Sequence, residues 1–487
     1  MKGLALRVVL ALFLAQAALP ARSADALSAC RIAGIKNEVQ CGMVVRPLDP
    51  ARPDGVKIDV HYVVVPAMAR RKLPDPVFML AGGPGQSAIA LAPTALPLFA
   101  RLNNRRDIVF VDQRGTGRSA PLDCEDTQRR PLAEQADPDR QFDQLARCRA
   151  TLQTLPYGDL RFFTTPIAMQ DLDAVRAQLG AERINLVGGS YGTRAALELL
   201  RQFPNRVRRS VIDGVAPPDM ALPASFSTDG QAAFDAMLAA CERESACARA
   251  HPTLRSDWAA LLKSLPKRVT AAHPLTGQTE TFTMTREMVL GAMRGPLYAP
   301  SLAAALPQVI DEAARDRFEP LVGINSLFAA RRGMALAMGM HFSVVCAEDL
   351  PRLAQSADAA GGDFGTHFAK LYQRVCAAWP RGEVPAAFYR MLPSASPVLV
   401  LSGGADPVTP PRHGGRVAQA LGPKALHVVV PNAGHGVMSL GCMRDVVFRF
   451  IDAADEHAAL TVDAACAKNI PRPPAFAPLR PPMHAAP

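Results

Sequence analysis

The chain has 487 residues, 49% of them hydrophobic and 20% charged, which excludes a disordered or fibrous protein and leaves room for one large domain with an insertion, or two domains. Its 54 Lys and Arg against 44 Asp and Glu give a net charge of +10, but these residues are scattered, with no aromatic interleaving and no nucleic-acid module, so they read as a solvated basic surface without a nucleic-acid partner. The ten histidines form no H-E-x-x-H and have no C-x-x-C partner set, so neither a metal nor another cofactor is expected.

In chain order, Lys2 and Arg7 come first, then a largely apolar run over residues 8–19, then Pro20 and a small-residue stretch. Residues 1–26 therefore read as a secretory signal peptide, with cleavage after Ser23 or Ala26. The run is too short to span a bilayer comfortably and no later segment replaces it, so the mature chain is expected to be exported, periplasmic or extracellular, without an integral membrane segment. Leu27-Ser28-Ala29-Cys30 has the residue types of a bacterial lipobox, but Arg22 and Asp25 separate it from the apolar run. An even number of cysteines in neighbouring pairs suggests five local disulfides: Cys30 with Cys41, Cys124 with Cys148, Cys241 with Cys247, Cys346 with Cys376, and Cys442 with Cys466. Sequence alone does not fix that connectivity.

Residues 43–45 and 56–65 surround a turn-forming segment and predict an antiparallel pair, because apolar and charged residues alternate over 56–60. Short wholly apolar runs at 77–80, 108–111 and 184–187 predict strands of a parallel sheet buried on both faces. Thr165-Pro166 can open a helix through Leu179 that Gly180 closes, and residues 210–212 supply another strand. From 217 to 393 the pattern turns to Ala-rich and Leu-rich helical stretches, after which 398–401 and 427–430 restore strands. This divides the chain into a core segment over 27–216, a helical cap over 217–393, a second core segment over 394–470 and a Pro-rich tail over 471–487.

Gly188-Gly189-Ser190-Tyr191-Gly192 is a G-x-S-x-G turn between a predicted strand and a predicted helix. The glycines belong there because so tight a turn leaves no room for side chains. A serine hydroxyl needs a base and an acid that orients the base, and on such a sheet these follow in the order serine, acid, histidine. Asp406 follows the strand at 398–401 and His435 follows that at 427–430; Asp213 is the rival acid. Backbone N–H groups of Tyr191 and of Gly83, in Gly82-Gly83-Pro84-Gly85, are the candidate oxyanion donors. The loop from Asp112 to Ser119 has glycines but no P-loop ending, so it reads as a brace acting through Asp112, Arg114 and Arg118.

Together, residues 82–85, 112–119 and 188–192 with Asp406 and His435 resemble the α/β-hydrolase fold peptidases of the proline iminopeptidase and tripeptidyl aminopeptidase group. The resemblance covers roughly 41–217 and 393–466, and one departure is Ala81, where many iminopeptidases carry histidine. It implies a mostly parallel sheet flanked by helices, and a serine exopeptidase acting on peptides with a free N-terminus; a carboxylesterase or lipase is the alternative. Such substrates call for a carboxylate at the pocket rim to meet their ammonium, and Glu348 is the candidate, with Asp349 next to it beside Cys346 and with Glu242 and Glu244 beside Cys241.

Overall fold

The computed structural model describes residues 27–329 and 335–476; the expected signal peptide and residues 477–487 of the tail lie outside them. Runs rich in β-branched and aliphatic residues form β1 (Leu27–Cys30), β2 (Val39–Pro47), β3 (Lys57–Val65), β4 (Val77–Leu80), β5 (Ile108–Val111), β6 (Ile184–Gly189), β7 (Val207–Asp213), β8 (Lys267–Ala272), β9 (Thr279–Met284), β10 (Val398–Gly403) and β11 (Ala425–Val430). Nine of these make one sheet in the order β1-β2-β3-β5-β4-β6-β7-β10-β11. The β1, β2 and β3 end is antiparallel, as is the β3–β5 junction, and all pairs from β5 to β11 are parallel.

Period-two alternation explains why the parallel strands are apolar throughout. Val398 and Val400 pack on one face with Phe78, Leu80, Leu186 and Ile212. Leu399 and Leu401 pack on the other with Met79, Phe110, Val187 and Val211. The helices Thr165–Gln178 and Tyr191–Gln202 cover the first face and the helix Met443–Asp452 the second.

Between β7 and β10 the chain builds a cap with its own core of Phe234, Trp258, Phe282, Met293, Ile310 and Phe364. Helices dominate it, including Leu222–Arg243, Arg286–Leu297, Met338–Glu348 and His367–Cys376. The hairpin β8–β9 departs from the purely helical insertion expected; its strands bury only alternate residues, such as Val269 and Ala271, so no continuous apolar run announces them. All five disulfides join the neighbouring cysteines, and Cys30, bonded to Cys41, has no thiol left for a lipid. Among the described residues no helix is long and apolar enough to cross a membrane.

Candidate active site

Register brings the functional loops together. Leu80 pairs with Gly188, Gly189 with Asp213, Asp213 with Leu401 and Gly403 with Val430, so the carboxyl ends of β4, β6, β7, β10 and β11 share one edge. At that edge Ser190 lies at φ 56°, ψ −124°, a conformation that costs a non-glycine residue about 1–3 kcal/mol. Packing enforces it. A Cβ on Gly192 would run into the Leu80 carbonyl oxygen and one on Gly188 into that of Gly192, so β4, β6 and the helix after Ser190 approach one another through the glycines. The Ser190 N–H donates to the Asp213 carbonyl at 2.9 Å, and the Thr193 hydroxyl donates to the Ser190 carbonyl at 2.6 Å.

His435 Nδ1–H donates to Asp406 Oδ2 at 2.8 Å, which leaves Nε2 as the unprotonated nitrogen. Asp406 is fully buried and also accepts the Val408 N–H at 2.8 Å, the Thr409 N–H at 2.9 Å and the Thr409 hydroxyl at 2.8 Å. Burial opposes its charge, but His435 and these donors outweigh it and hold the carboxyl below its usual range. Burial likewise opposes a charged His435, while the Asp406 carboxylate outweighs it and lifts the imidazole above its usual 6.5. Gly214, at φ +67°, leaves room for the ring: a Cβ there would stand 3.1 Å from His435 Cε1. The Tyr298 carbonyl accepts the His435 N–H at 2.8 Å, and the Tyr298 ring stands edge-on to the imidazole at 5.1 Å.

Asp213 also faces this group, in a different capacity. Its Oδ2 accepts the N–H groups of Val437 at 2.7 Å and Met438 at 2.8 Å, so it secures the loop carrying His435. Burial pushes its carboxyl up to about 6.

The Gly82–Gly85 loop passes against the serine. A Cβ on Gly82 would lie 3.2 Å from Ser190 Cβ, and Gly83 takes φ +108°. Tyr191 opens the helix Tyr191–Gln202, where the first backbone N–H groups have no helical acceptor. Its buried hydroxyl meets Thr165 Oγ1 at 2.6 Å. Behind the helix, Arg194 makes two 2.9 Å bonds to Asp349 and a 3.5 Å contact to Glu348.

Glu348 does not stand at an open rim as the sequence suggested. It is wholly buried, Oε1 accepting the Thr165 N–H at 2.7 Å and Oε2 the Thr165 hydroxyl at 3.0 Å. Burial pushes it up to about 7, against the pull of Arg194. With both oxygens engaged and no exposed surface, it links the cap helix Met338–Glu348 to Thr165 of the core. Glu242 pairs with Arg255 at the surface, and Glu244 accepts the Ala475 N–H at 3.3 Å. In the loop after β5, Asp112 accepts the Ser87 hydroxyl at 2.6 Å and Arg114 forks onto Asp171 at 2.7 and 2.9 Å, while Arg118 reaches Asp112 only through its backbone. Thr409, Tyr298 and Arg194 escape sequence reasoning. Only Thr409 carries a local cue, a hydroxyl three residues after Asp406.

The sequence matches the α/β hydrolase fold family over residues 75–441, more than half of its length. The chain belongs to that family. Among characterised relatives of this α/β hydrolase, the tripeptidyl aminopeptidase of Streptomyces coelicolor is 34% identical over 192 residues, 37% of this chain and 36% of that protein. The match thus spans about a third of that relative's length. The serine protease Hip1 of Mycobacterium tuberculosis is 25% identical over 78% of this chain and 79% of its own. Carboxylesterase B of the same species is 27% identical over 79% and 78%. The α/β hydrolase is a serine hydrolase, with both peptidases and an esterase among its distant relatives.

Proposed function

We propose that this α/β hydrolase is an exported serine exopeptidase that removes residues or short peptides from a free peptide N-terminus. The observation that carries the catalytic half of this reading is the 2.8 Å bond from His435 to the buried Asp406, at the strand edge where Ser190 is held with positive φ. In the proposed cycle Ser190 Oγ attacks the scissile carbonyl carbon and its proton passes to His435 Nε2. Asp406 orients the imidazole and stabilises its positive charge, and the Gly83 and Tyr191 N–H groups receive the oxyanion. As the C–N bond breaks, His435 returns the proton to the leaving amine. Water then attacks the acyl-enzyme through the same base and frees Ser190. Export is supported by the five disulfides.

The names of the Streptomyces and Mycobacterium peptidases support a peptide substrate, and that of carboxylesterase B supports the second reading, ester hydrolysis by the same residues. A matched pair of peptide anilides, one with a free amino terminus and one acetylated, separates them. The exopeptidase is expected to release aniline only from the free peptide; equal release from both, or turnover of simple esters alone, refutes it. Ser190 should react with a fluorophosphonate probe and Ser190→Ala should not. A folded wild-type protein that takes no label would point to a non-catalytic scaffold.

A further inference from the structure

Arg294, on the cap helix Arg286–Leu297, carries a charge that nothing nearby neutralises. No carboxylate lies within ion-pair distance of it among the described residues, whereas the buried Arg114 and Arg194 both fork onto aspartates. Its guanidinium lies 4.1 Å from the Phe226 ring centroid, 5.4 Å from that of Phe368 and 5.6 Å from that of Tyr298. One nitrogen donates to the Tyr298 hydroxyl at 3.3 Å, and Nε is buried without a partner. Aromatic faces attract a cation but provide no hydrogen-bond acceptors in the guanidinium plane, so most of its N–H groups remain available for an anion.

The position matters as much as the missing partner. Tyr298, which Arg294 touches, is the residue whose carbonyl and ring hold His435. The Arg294 charge reaches His435 itself and works against its protonation. An anion bound to Arg294 would offset that opposition to the imidazolium.

We propose that Arg294 is a specificity-determining residue that binds a carboxylate of the substrate beside the rings of Phe226, Phe368 and Tyr298. The proposal rests on the exopeptidase reading for the kind of substrate. Planar, bidentate pairing makes a carboxylate the fitting partner of a guanidinium. The carboxylate comes either from the free C-terminus of a short peptide or from an acidic side chain beside the scissile bond.

Three peptides of equal length and free N-terminus test it: a C-terminal acid, the corresponding amide, and an amide with Glu next to the scissile bond. For at least one of the two carboxylate peptides, kcat/KM should exceed that of the neutral amide by about tenfold or more, as expected for a hydrogen bond to a charged group. Which one does so names the source. Arg294→Gln should abolish the ratio and Arg294→Lys restore part of it. No preference in the wild type, or one that survives Arg294→Gln, overturns the proposal. In the wild-type enzyme alone, succinate should compete with the neutral amide and succinamide should not; equal effects also overturn it. Should no peptide be cleaved while Ser190 still takes the fluorophosphonate, the exopeptidase reading falls. The carboxylate question then passes to p-nitrophenyl hemisuccinate against its methyl ester, judged by the same ratio and variants.

Discussion

At the scale of single residues, two buried aspartates lie near one histidine and do different work. Asp406 accepts the hydrogen bond of the imidazole Nδ1–H, whereas Asp213 accepts backbone N–H groups of the His435 loop. Asp406→Asn is therefore expected to lower kcat by up to about 10⁴-fold, through the wrong tautomer of His435. Asp213→Asn should act more mildly and show its loss in thermal stability. Equal kcat losses in the two variants would contradict this division. In the proposed cycle His435 must be neutral to accept the serine proton, and Asp406 lifts it above 6.5, so kcat/KM should fall as pH drops through a value above 6.5. A limb below that value would show that Asp406 does not stabilise the imidazolium. The places of Ser190, Asp406 and His435 are legible in the sequence because each follows a short, β-branched apolar run closed by a glycine-containing turn, which reads as a buried strand. Arg294 is not legible, since nothing local separates it from the other cap arginines.

Among elements, the most informative junction is that between the helix Tyr191–Gln202 and the cap helix Met338–Glu348. It places two carboxylates and one guanidinium where no side chain is exposed, with Glu348 pushed up to about 7 from 4.5. A carboxyl whose folded pKa is raised favours the folded state below its unfolded pKa, and that contribution is lost as pH rises toward the folded value. From Glu348 alone, stability should thus decline between about pH 4.5 and 7. Glu348→Gln, which keeps an acceptor for Thr165, should flatten this part of a plot of Tm against pH. An unchanged slope would show that Glu348 stays ionised throughout. The sheet was readable from its apolar runs, and the helix Thr165–Gln178 from its Thr-Pro start and closing Gly180, which takes φ +67°. The burial of Glu348 against Thr165 was not legible, because proximity to a cysteine says nothing about which way a carboxylate faces. The hairpin β8–β9 stayed hidden because half of its residues meet solvent.

For the whole molecule, the disulfides and the buried ions act together. Cys346 precedes Glu348 by two residues, and its bond to Cys376 closes 30 residues of the cap. By the chain-entropy estimate for a loop of that size, removing the bond with Cys346→Ala and Cys376→Ala should cost about 3–4 kcal/mol, read from the midpoint of urea unfolding. A shift of less than a quarter of this would mean that the cap retains its order without the link.

The grip of Arg194 on Glu348 and Asp349 also bears on how a substrate arrives. Arg194 lies one helical turn beyond Ser190, so a cap swinging away on a hinge would tear a guanidinium from fully buried carboxylates, at a cost of several kcal/mol. On the proposed reading, a substrate must therefore reach Ser190 with this junction closed.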